Sequence, residues 1–312
     1  MTQRYLFLTL CSLLAIVACT KELPPETDEA QPSVAGVQTK AYGDKSPVMT
    51  VVVETNQTAP TEALNYTFSN GDYFFDVVEL YAAEITMSGA NPTLSFGSVL
   101  TTILGSPSTY ITPLHNAGIK VVLLVQGNWE GIGVSNMTDS QAQAFAQYLA
   151  YLAYTVGLDG FSFDDEYANY SGSLVSGSFG RVISYLRDAL DEYGMEDALI
   201  NVFQYGNYGS TQITSSDGAL IDYAYNSYFG TWSGSSSIAG VTNAHWAPLS
   251  INLGTAASSS ALTAYQYYGG LAADGGYGAV YFFNLLPSYN VNALPVLNAV
   301  SLGAFGVNVY HQ

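Results

Sequence analysis

The sequence is short of basic residues, which restricts the partners that the protein can have. Among 312 residues Lys and Arg together number 7, against 25 Asp and Glu, so the formal net charge is −18. After Pro47 the remaining basic residues are Lys120, Arg181 and Arg187. Binding to nucleic acid or to an anionic membrane surface needs a stripe of basic side chains. We therefore expect neither partner, and we expect a neutral substrate.

Cysteine and histidine are also scarce. The two cysteines are Cys11 and Cys19, and the three histidines, His115, His245 and His311, lie in unrelated segments. Cys11 lies within the N-terminal export signal described below, so the mature chain keeps only Cys19 and an internal disulfide is not expected. The stability of the fold must therefore come from packing. With the histidines dispersed we expect no metal site, and we expect no cofactor.

The N-terminus has the pattern of an export signal. Arg4 precedes an apolar stretch over residues 5–18, which is shorter than the roughly 20 residues of a membrane helix. Residues 16–19, Ile-Val-Ala-Cys, resemble the lipobox of bacterial lipoproteins, in which cleavage occurs before the cysteine and the thiol of Cys19 is acylated. A plain signal peptide is the alternative.

This resemblance implies three segments. Residues 1–18 are a lipoprotein signal peptide, residues 19–46 are a lipid-anchored flexible tether rich in Pro, acids and small polar residues, and residues 47–312 are the folded domain. The expected location is the bacterial cell envelope, lipid-anchored in the outer membrane and exposed at the surface. The lipid would be the sole membrane contact, and we expect a monomer.

Apolar strand-like runs alternate with helical patterns after the tether. Helical periodicity is clearest over residues 139–155 and 179–193, and a last helix is expected over 291–302. The runs predict eight strands of a (β/α)8 TIM barrel; they begin near residues 49, 74, 118, 158, 198, 219, 245 and 277. Gly- and Ser-rich stretches at 205–218 and 230–244 predict an irregular barrel with reduced helices around strands 5 and 6. A doubly wound sheet is the alternative, but no Gly-rich phosphate fingerprint follows an early strand.

Three acids end the fourth predicted strand, in the run LDGFSFDDEYANY at residues 158–170. Because side chains alternate along a strand, Asp164 and Glu166 should share one face, roughly 6 to 7 Å apart, while Asp165 faces the other way. Neighbouring carboxylates raise one pKa, as a general acid requires. A nucleophilic carboxylate usually lies across the bond from the acid. Two acids on one strand instead favour a substrate that supplies its own nucleophile.

The run from Asp159 to Glu166 resembles the DGxDxDxE signature of glycoside hydrolase family 18, the chitinases and endo-β-N-acetylglucosaminidases. With DYAYNSYFGTW at residues 222–232 and KVVLLVQGN at 120–128, it is similar to the endoglycosidase H type. The resemblance implies hydrolysis of the β-1,4 bond in the N,N'-diacetylchitobiose core of N-linked glycans, of high-mannose or hybrid form. It implies retention of configuration through substrate assistance.

Site roles follow from the same resemblance. Glu166 would protonate the glycosidic oxygen, and Asp164 would orient the 2-acetamido group and stabilise the oxazolinium ion. Asn226 and Tyr228 would hydrogen-bond the acetamido oxygen. One position departs from the signature, because Ser162 stands where the motif has an Asp, so proton sharing between two aspartates is lost and the pH profile is open.

Further substrate contacts are expected from polar and aromatic residues that follow strands. The candidates are Asn128, Trp129, Trp232 and Asn284, with packing as the alternative for the tryptophans. Tyr225 alternates with Asn226 and is expected to face the helices. A chitinase, and a non-catalytic glycan-binding protein on the same barrel, remain alternative functions, although the presence of Glu166 opposes the second.

Overall fold

A computed structural model describes residues 45–170, 174–205 and 211–312. The predicted signal peptide, most of the tether and the lipidation site Cys19 lie outside the described residues. At the start of the described chain, Lys45 pairs with Asp76 at 3.1 Å and donates to the carbonyl oxygen of Tyr73 at 2.8 Å. Within these ranges, none of the helices combines the length and hydropathy needed to cross a bilayer.

A mostly parallel sheet forms the centre of the domain. Its strands lie in the order β10-β11-β1-β3-β5-β6-β7-β8-β9, and each is parallel to the next. Strand β4 pairs with β3 in antiparallel orientation. A separate antiparallel pair joins β2 and β12. The strands are β1 (Val48–Glu54), β2 (Tyr66–Phe68), β3 (Val77–Ser88), β4 (Asn91–Phe96), β5 (Lys120–Gln126), β6 (Gly160–Asp164), β7 (Leu199–Gln204), β8 (Tyr223–Asn226), β9 (Trp246–Ala247), β10 (Ser250–Asn252), β11 (Ala279–Phe283) and β12 (Val309–His311).

The sheet closes through one interrupted strand. The segment 246–252 pairs with β8 through β9 and with β11 through β10. Between them stands Pro248, which has no N–H for a ladder, while the carbonyl oxygen of Leu249 accepts from the Tyr281 N–H at 3.0 Å. If β9 and β10 count as one strand, the parallel strands are the eight predicted ones. The predicted (β/α)8 barrel is therefore confirmed.

Helices surround the barrel unevenly, as predicted. After β7 the described residues include a four-residue helix, Ser215–Gly218, and after β8 they include a 3-10 turn at Asn243–His245. The helix Asp139–Val156 is capped at both ends: Thr138 and Gln141 form a capping box at its start, and Gly157 ends it with φ 80°. The helices are α1 (Ser98–Leu104), α2 (Pro107–Tyr110), α3 (Thr112–Asn116), α4 (Asp139–Val156), α5 (Ser178–Glu192), α6 (Ser215–Gly218), α7 (Ser259–Asp274) and α8 (Asn290–Phe305).

Two apolar cores lie on the two faces of the barrel wall. The outer core, between strands and helices, contains Phe161 and Phe163 of β6. The inner core fills the barrel with residues such as Val52, Leu124 and Tyr281. Because the strands are parallel, their carboxyl ends meet at one mouth, where barrel active sites lie. The last residue of β6 is Asp164.

Candidate active site

The end of β6 separates the three acids. Phe161 and Phe163 pack in the outer core, as the alternation predicts. Asp165 also points outward, where the Ser135 hydroxyl donates to it at 2.5 Å and the Tyr170 hydroxyl donates to its other oxygen. Burial raises the pKa of Asp165 to about 6, although both donors lower it. This side chain therefore joins the end of β6 to the loop after β5.

Asp164 and Glu166 form an acidic pair with different exposure. Asp164 is 8% exposed, and its Oδ1 atom is buried without a hydrogen-bond partner among the described residues. Burial, then repulsion by Glu166, Asp165 and Glu79, raises the pKa of Asp164 well above its usual value, while the backbone N–H of Glu166 opposes the rise. Glu166 is half-buried, and burial raises its pKa against a hydrogen bond with Tyr167. Both carboxyls thus hold protons to higher pH than free acids.

The loop after β5 fixes the backbone that carries Glu166. The Gly127 N–H donates to the Glu166 carbonyl oxygen at 2.9 Å, and the Trp129 N–H donates to that of Tyr167 at 2.6 Å. The two backbones lie so close that a Cβ on Gly127 would be 2.3 Å from the Ala168 nitrogen. Trp129 and Tyr167 have φ of 67° and 59°, conformations that side chains rarely adopt and that cluster at functional sites.

Two exposed aromatic rings stand beside Glu166. Trp129 is 66% exposed and its ring lies 5.4 Å from that of Tyr167. Asn128 is partly buried, and its side-chain oxygen accepts from the Glu130 N–H at 3.1 Å. Exposed aromatic faces suit stacking on sugar rings, so the predicted roles of Asn128 and Trp129 remain predictions consistent with their position.

The end of β8 places Tyr225 and Asn226 in different surroundings. Tyr225 lies in the inner core, stacked on Tyr281 with ring centroids 4.3 Å apart, so the prediction that it faces the helices is wrong. Asn226 is turned to its own loop: its Nδ2 donates to the carbonyl oxygens of Tyr228, Thr231 and Pro248 at 3.2 to 3.3 Å. These contacts hold the loop that follows β8, and the predicted contact of Asn226 with the acetamido group stays a prediction.

Tyr228 is the exposed member of that predicted pair. Its side chain is 72% exposed, and its N–H donates to the Asn226 Oδ1 at 3.1 Å. Its carbonyl oxygen accepts from the Thr231 hydroxyl at 2.8 Å. The backbone of Tyr228 is therefore fixed while its hydroxyl is open to solvent, which leaves its predicted role untested.

Trp232 and Asn284 differ in what they contact. The Trp232 indole stacks on Tyr268 of α7 at 5.4 Å and meets the edge of Tyr277 at 5.2 Å. It is partly buried and packs against the outer core, and its predicted substrate contact stays a prediction. Asn284 follows β11 with φ 73°, and its Oδ1 is buried without a partner among the described residues, so it remains a candidate contact.

Sequence reasoning missed several polar residues of the barrel interior. Tyr81 of β3 packs on the inner core, and burial, followed by the charges of Asp164 and Glu166, raises its pKa. Glu79 of the same strand is fully buried. A single acid inside the apolar run Val-Val-Glu-Leu was the signal that could have found Glu79.

The arrangement suits acid catalysis. At the mouth, a half-buried carboxylic acid stands two residues from a buried carboxyl with a free acceptor atom, as acid and electrostatic stabiliser require. Within the described ranges, no three His, Cys, Asp or Glu side chains group as metal ligands.

Comparison with known proteins gives similar relatives, although no protein-family model matches the chain. It is 31% identical over 265 residues to the endo-β-N-acetylglucosaminidase of Flavobacterium sp. (strain SK1022), covering 84% of this chain and 79% of the relative. It is 32% identical over 193 residues to endo-β-N-acetylglucosaminidase F1 of Elizabethkingia meningoseptica, covering 57% of this chain and 55% of that protein. The fold matches EndoBT-3987 of Bacteroides thetaiotaomicron, solved with a Man5GlcNAc product, with TM-score 0.71, 23% identity, and coverage of 86% and 63% of the two chains.

Proposed function

Because this chain belongs to the endo-β-N-acetylglucosaminidases of glycoside hydrolase family 18, we propose that it cleaves N-linked glycans between the two GlcNAc residues of the chitobiose core. The observation that carries the proposal is the acidic pair at the barrel mouth. Asp164 is buried and Glu166 half-buried at the end of one strand, where both approach a substrate from the same side.

Glu166 is the proposed general acid. Burial raises its pKa, so this carboxyl keeps its proton to higher pH than a free Glu side chain and can donate it to the glycosidic oxygen. The same carboxylate then takes a proton from water in the second step. Gly127 and Trp129 support this role, because their hydrogen bonds to the backbone of residues 166 and 167 hold the acid in place.

Asp164 is the proposed stabiliser of the reacting sugar. With no nucleophilic carboxylate expected across the bond, the acetamido oxygen of the substrate attacks C1, and the bond to the leaving oxygen breaks as Glu166 protonates it. The resulting oxazolinium ion is positive. An acceptor atom on a buried carboxylate stabilises such a charge strongly, because the surrounding dielectric is low. Tyr228 and Asn226 are the proposed donors to the acetamido oxygen.

The proposed glycan class is the high-mannose or hybrid type. EndoBT-3987 is solved with a Man5GlcNAc product, which supports this choice. The scarcity of basic residues also fits a neutral glycan rather than a sialylated one.

A substrate panel tests the proposal. The purified protein is incubated with a high-mannose glycoprotein, a complex-type glycoprotein and chitin, and the products are weighed by mass spectrometry. We expect the high-mannose glycoprotein to retain one GlcNAc on each cleaved Asn. In the Glu166→Gln variant the rate should fall by about 100 to 10,000-fold, because the proton donor is lost. Release of chitin oligomers instead would support a chitinase, and binding without cleavage would support a glycan-binding protein.

We further propose that the mature protein is anchored by a lipid on Cys19 to the outer membrane and faces the cell exterior. The lipobox-like residues 16–19 support the anchor, and a tether of about 25 residues that behaves as a coil would reach roughly 25 to 30 Å. A Cys19→Ala variant should move from the membrane to the soluble fraction. Added protease should degrade the wild-type protein on intact cells, and its protection there would contradict surface display.

A further inference from the structure

The inside of the barrel contains a buried carboxyl that the reaction above does not use. Glu79 has no exposed surface. The Asn201 Nδ2 donates to its Oε1 at 3.3 Å, and the Tyr281 hydroxyl donates to its Oε2 at 3.4 Å. Ser162 and Tyr225 also lie close enough to stabilise its charge. All four partners are neutral.

Burial without a cation favours the protonated form of Glu79. Within the described part of the chain, Glu79 forms no ion pair with Lys, Arg or His. Burial therefore raises the pKa of Glu79 to about 7 in spite of its hydrogen bonds. The Oδ1 of Asn201 is buried beside this carboxyl without a partner. It can accept a hydrogen bond from a neutral Glu79.

Glu79 acts on Asp164 across the barrel interior. The charge of Glu79 is one of the causes that raise the pKa of Asp164. Ser162 links the two sites, because it precedes Asp164 on the inner face of β6 and pairs in register with Asn201 of β7. The other titratable groups near enough to interact with these carboxyls are Tyr81 of β3, Asp165, Glu166 and Tyr167 just after β6, Tyr225 of β8 and Tyr281 of β11.

We propose that Glu79 is a positioning residue for the reaction: it shares one proton with Asp164 and so sets the charge that Asp164 presents to the substrate. The inference rests on the proposed function. Two carboxyls that repel each other in a low dielectric do not both ionise at neutral pH, and they titrate as a pair. Glu79 thus supplies, from β3, the second carboxyl that the chain lacks at Ser162.

The variant Glu79→Gln tests the proposal because Gln has the shape of a permanently protonated Glu. Asp164 then titrates alone. In the pH dependence of kcat/KM, we expect the acidic limb to become a single step and to move to lower pH by about 1 unit. The alkaline limb, which reports Glu166, should stay within about 0.3 unit, and KM at the optimum should change by less than about threefold.

Two further variants separate charge from packing. Glu79→Asp keeps a carboxyl on β3 and should retain the two-step acidic limb. Glu79→Gln combined with Ser162→Asp restores a carboxyl beside Asn201 and should return the limb towards the wild-type position. An acidic limb that is the same in Glu79→Gln and wild type, or one that the added Asp does not move, would overturn the proposal.

A measurement without substrate distinguishes this proposal from the proposed function. The carboxyl carbons of Asp side chains are labelled with 13C in the full chain, Asp164 is assigned with Asp164→Asn, and the signal is titrated by NMR. The midpoint for Asp164 should fall in Glu79→Gln, whichever glycan the enzyme cleaves. An unchanged midpoint rejects the coupling even if glycan release is normal, whereas a lowered midpoint without glycan release rejects the proposed function alone.

Discussion

The substitution Glu79→Gln should also change how the stability of the fold depends on pH. The ordinary pKa of a Glu side chain is 4.5, and burial raises that of Glu79 to about 7. In the unfolded chain the side chain loses its proton near 4.5, while the folded protein keeps the proton until about pH 7. The folded state binds more protons in this window, so stability falls as pH rises through it and levels off above.

The expected size follows from the shift. A difference of about 2.5 pH units, at about 1.36 kcal/mol for each, corresponds to about 3 kcal/mol between pH 4 and pH 8. The Gln variant lacks this loss, so the difference in free energy of unfolding between variant and wild type should rise by about 3 kcal/mol in favour of the variant from about pH 4 to about pH 8. Urea denaturation at several pH values measures the difference. Glu84→Gln, an exposed position on the same strand, is the matched control and should stay within about 0.5 kcal/mol of wild type. A flat difference for Glu79→Gln would show that the carboxyl ionises without penalty and would refute the reasoning.

Three further comparisons test how the mouth is built. Asp164→Asn should lower kcat by about 100 to 1,000-fold with an unchanged melting temperature. Asp165→Asn, next in the chain but bonded outward, should lower the free energy of unfolding by about 1 to 3 kcal/mol and reduce kcat far less. Equal losses of kcat in the two variants would contradict the opposed orientations of these side chains. Gly127→Ala should lower kcat by about 10-fold or more with a smaller effect on KM, because the added Cβ would displace the backbone that carries Glu166. Wild-type kinetics in this variant would show that the close contact of the two backbones does not position the acid. Asn226→Ala should destabilise the fold by about 1 to 3 kcal/mol through lost loop contacts. Tyr228→Phe should leave thermal melting unchanged and lower kcat/KM, and the reverse pattern would contradict the assignment of the loop contacts to Asn226 and of the substrate contact to Tyr228.

The architecture was predictable because its signals are local. The apolar runs and the helical period of residues 139–155 depend on neighbours in the chain, and the structure places strands and helices where these patterns predict them. The short helical segments described after the fifth and sixth strands follow equally from the Gly- and Ser-rich composition there. The alternation at the end of β6 was correct because Phe161 and Phe163 identify the outer face.

The prediction for Tyr225 was wrong because β8 has no large apolar residues, such as Phe161 and Phe163 of β6, that identify its outer face. Strand β8 has four residues, and Tyr225 and Asn226 both have a side chain that can face either way. The inward direction of Tyr225 is set by register, since Tyr225 pairs with Phe203 of β7, which belongs to the inner core. The packing of Trp232 could not be predicted for a related reason: the side chain that it stacks on, Tyr268, lies on a helix distant in sequence. Register and tertiary contact are not encoded in a single short segment.

Glu79 lowers the stability of the core in which it is buried, so its presence there needs a functional explanation. A neutral apolar residue at position 79 would remove the pH-dependent loss of about 3 kcal/mol, and the surrounding barrel offers no cation to offset it among the described residues. Polar groups that weaken a core are retained where function uses them. Here the residue that lowers the stability is Glu79, whose charge is one of those that raise the pKa of Asp164. A variant that gains stability at pH 8 and, in the same step, uncouples the titration of Asp164 would show that both effects have one electrostatic cause.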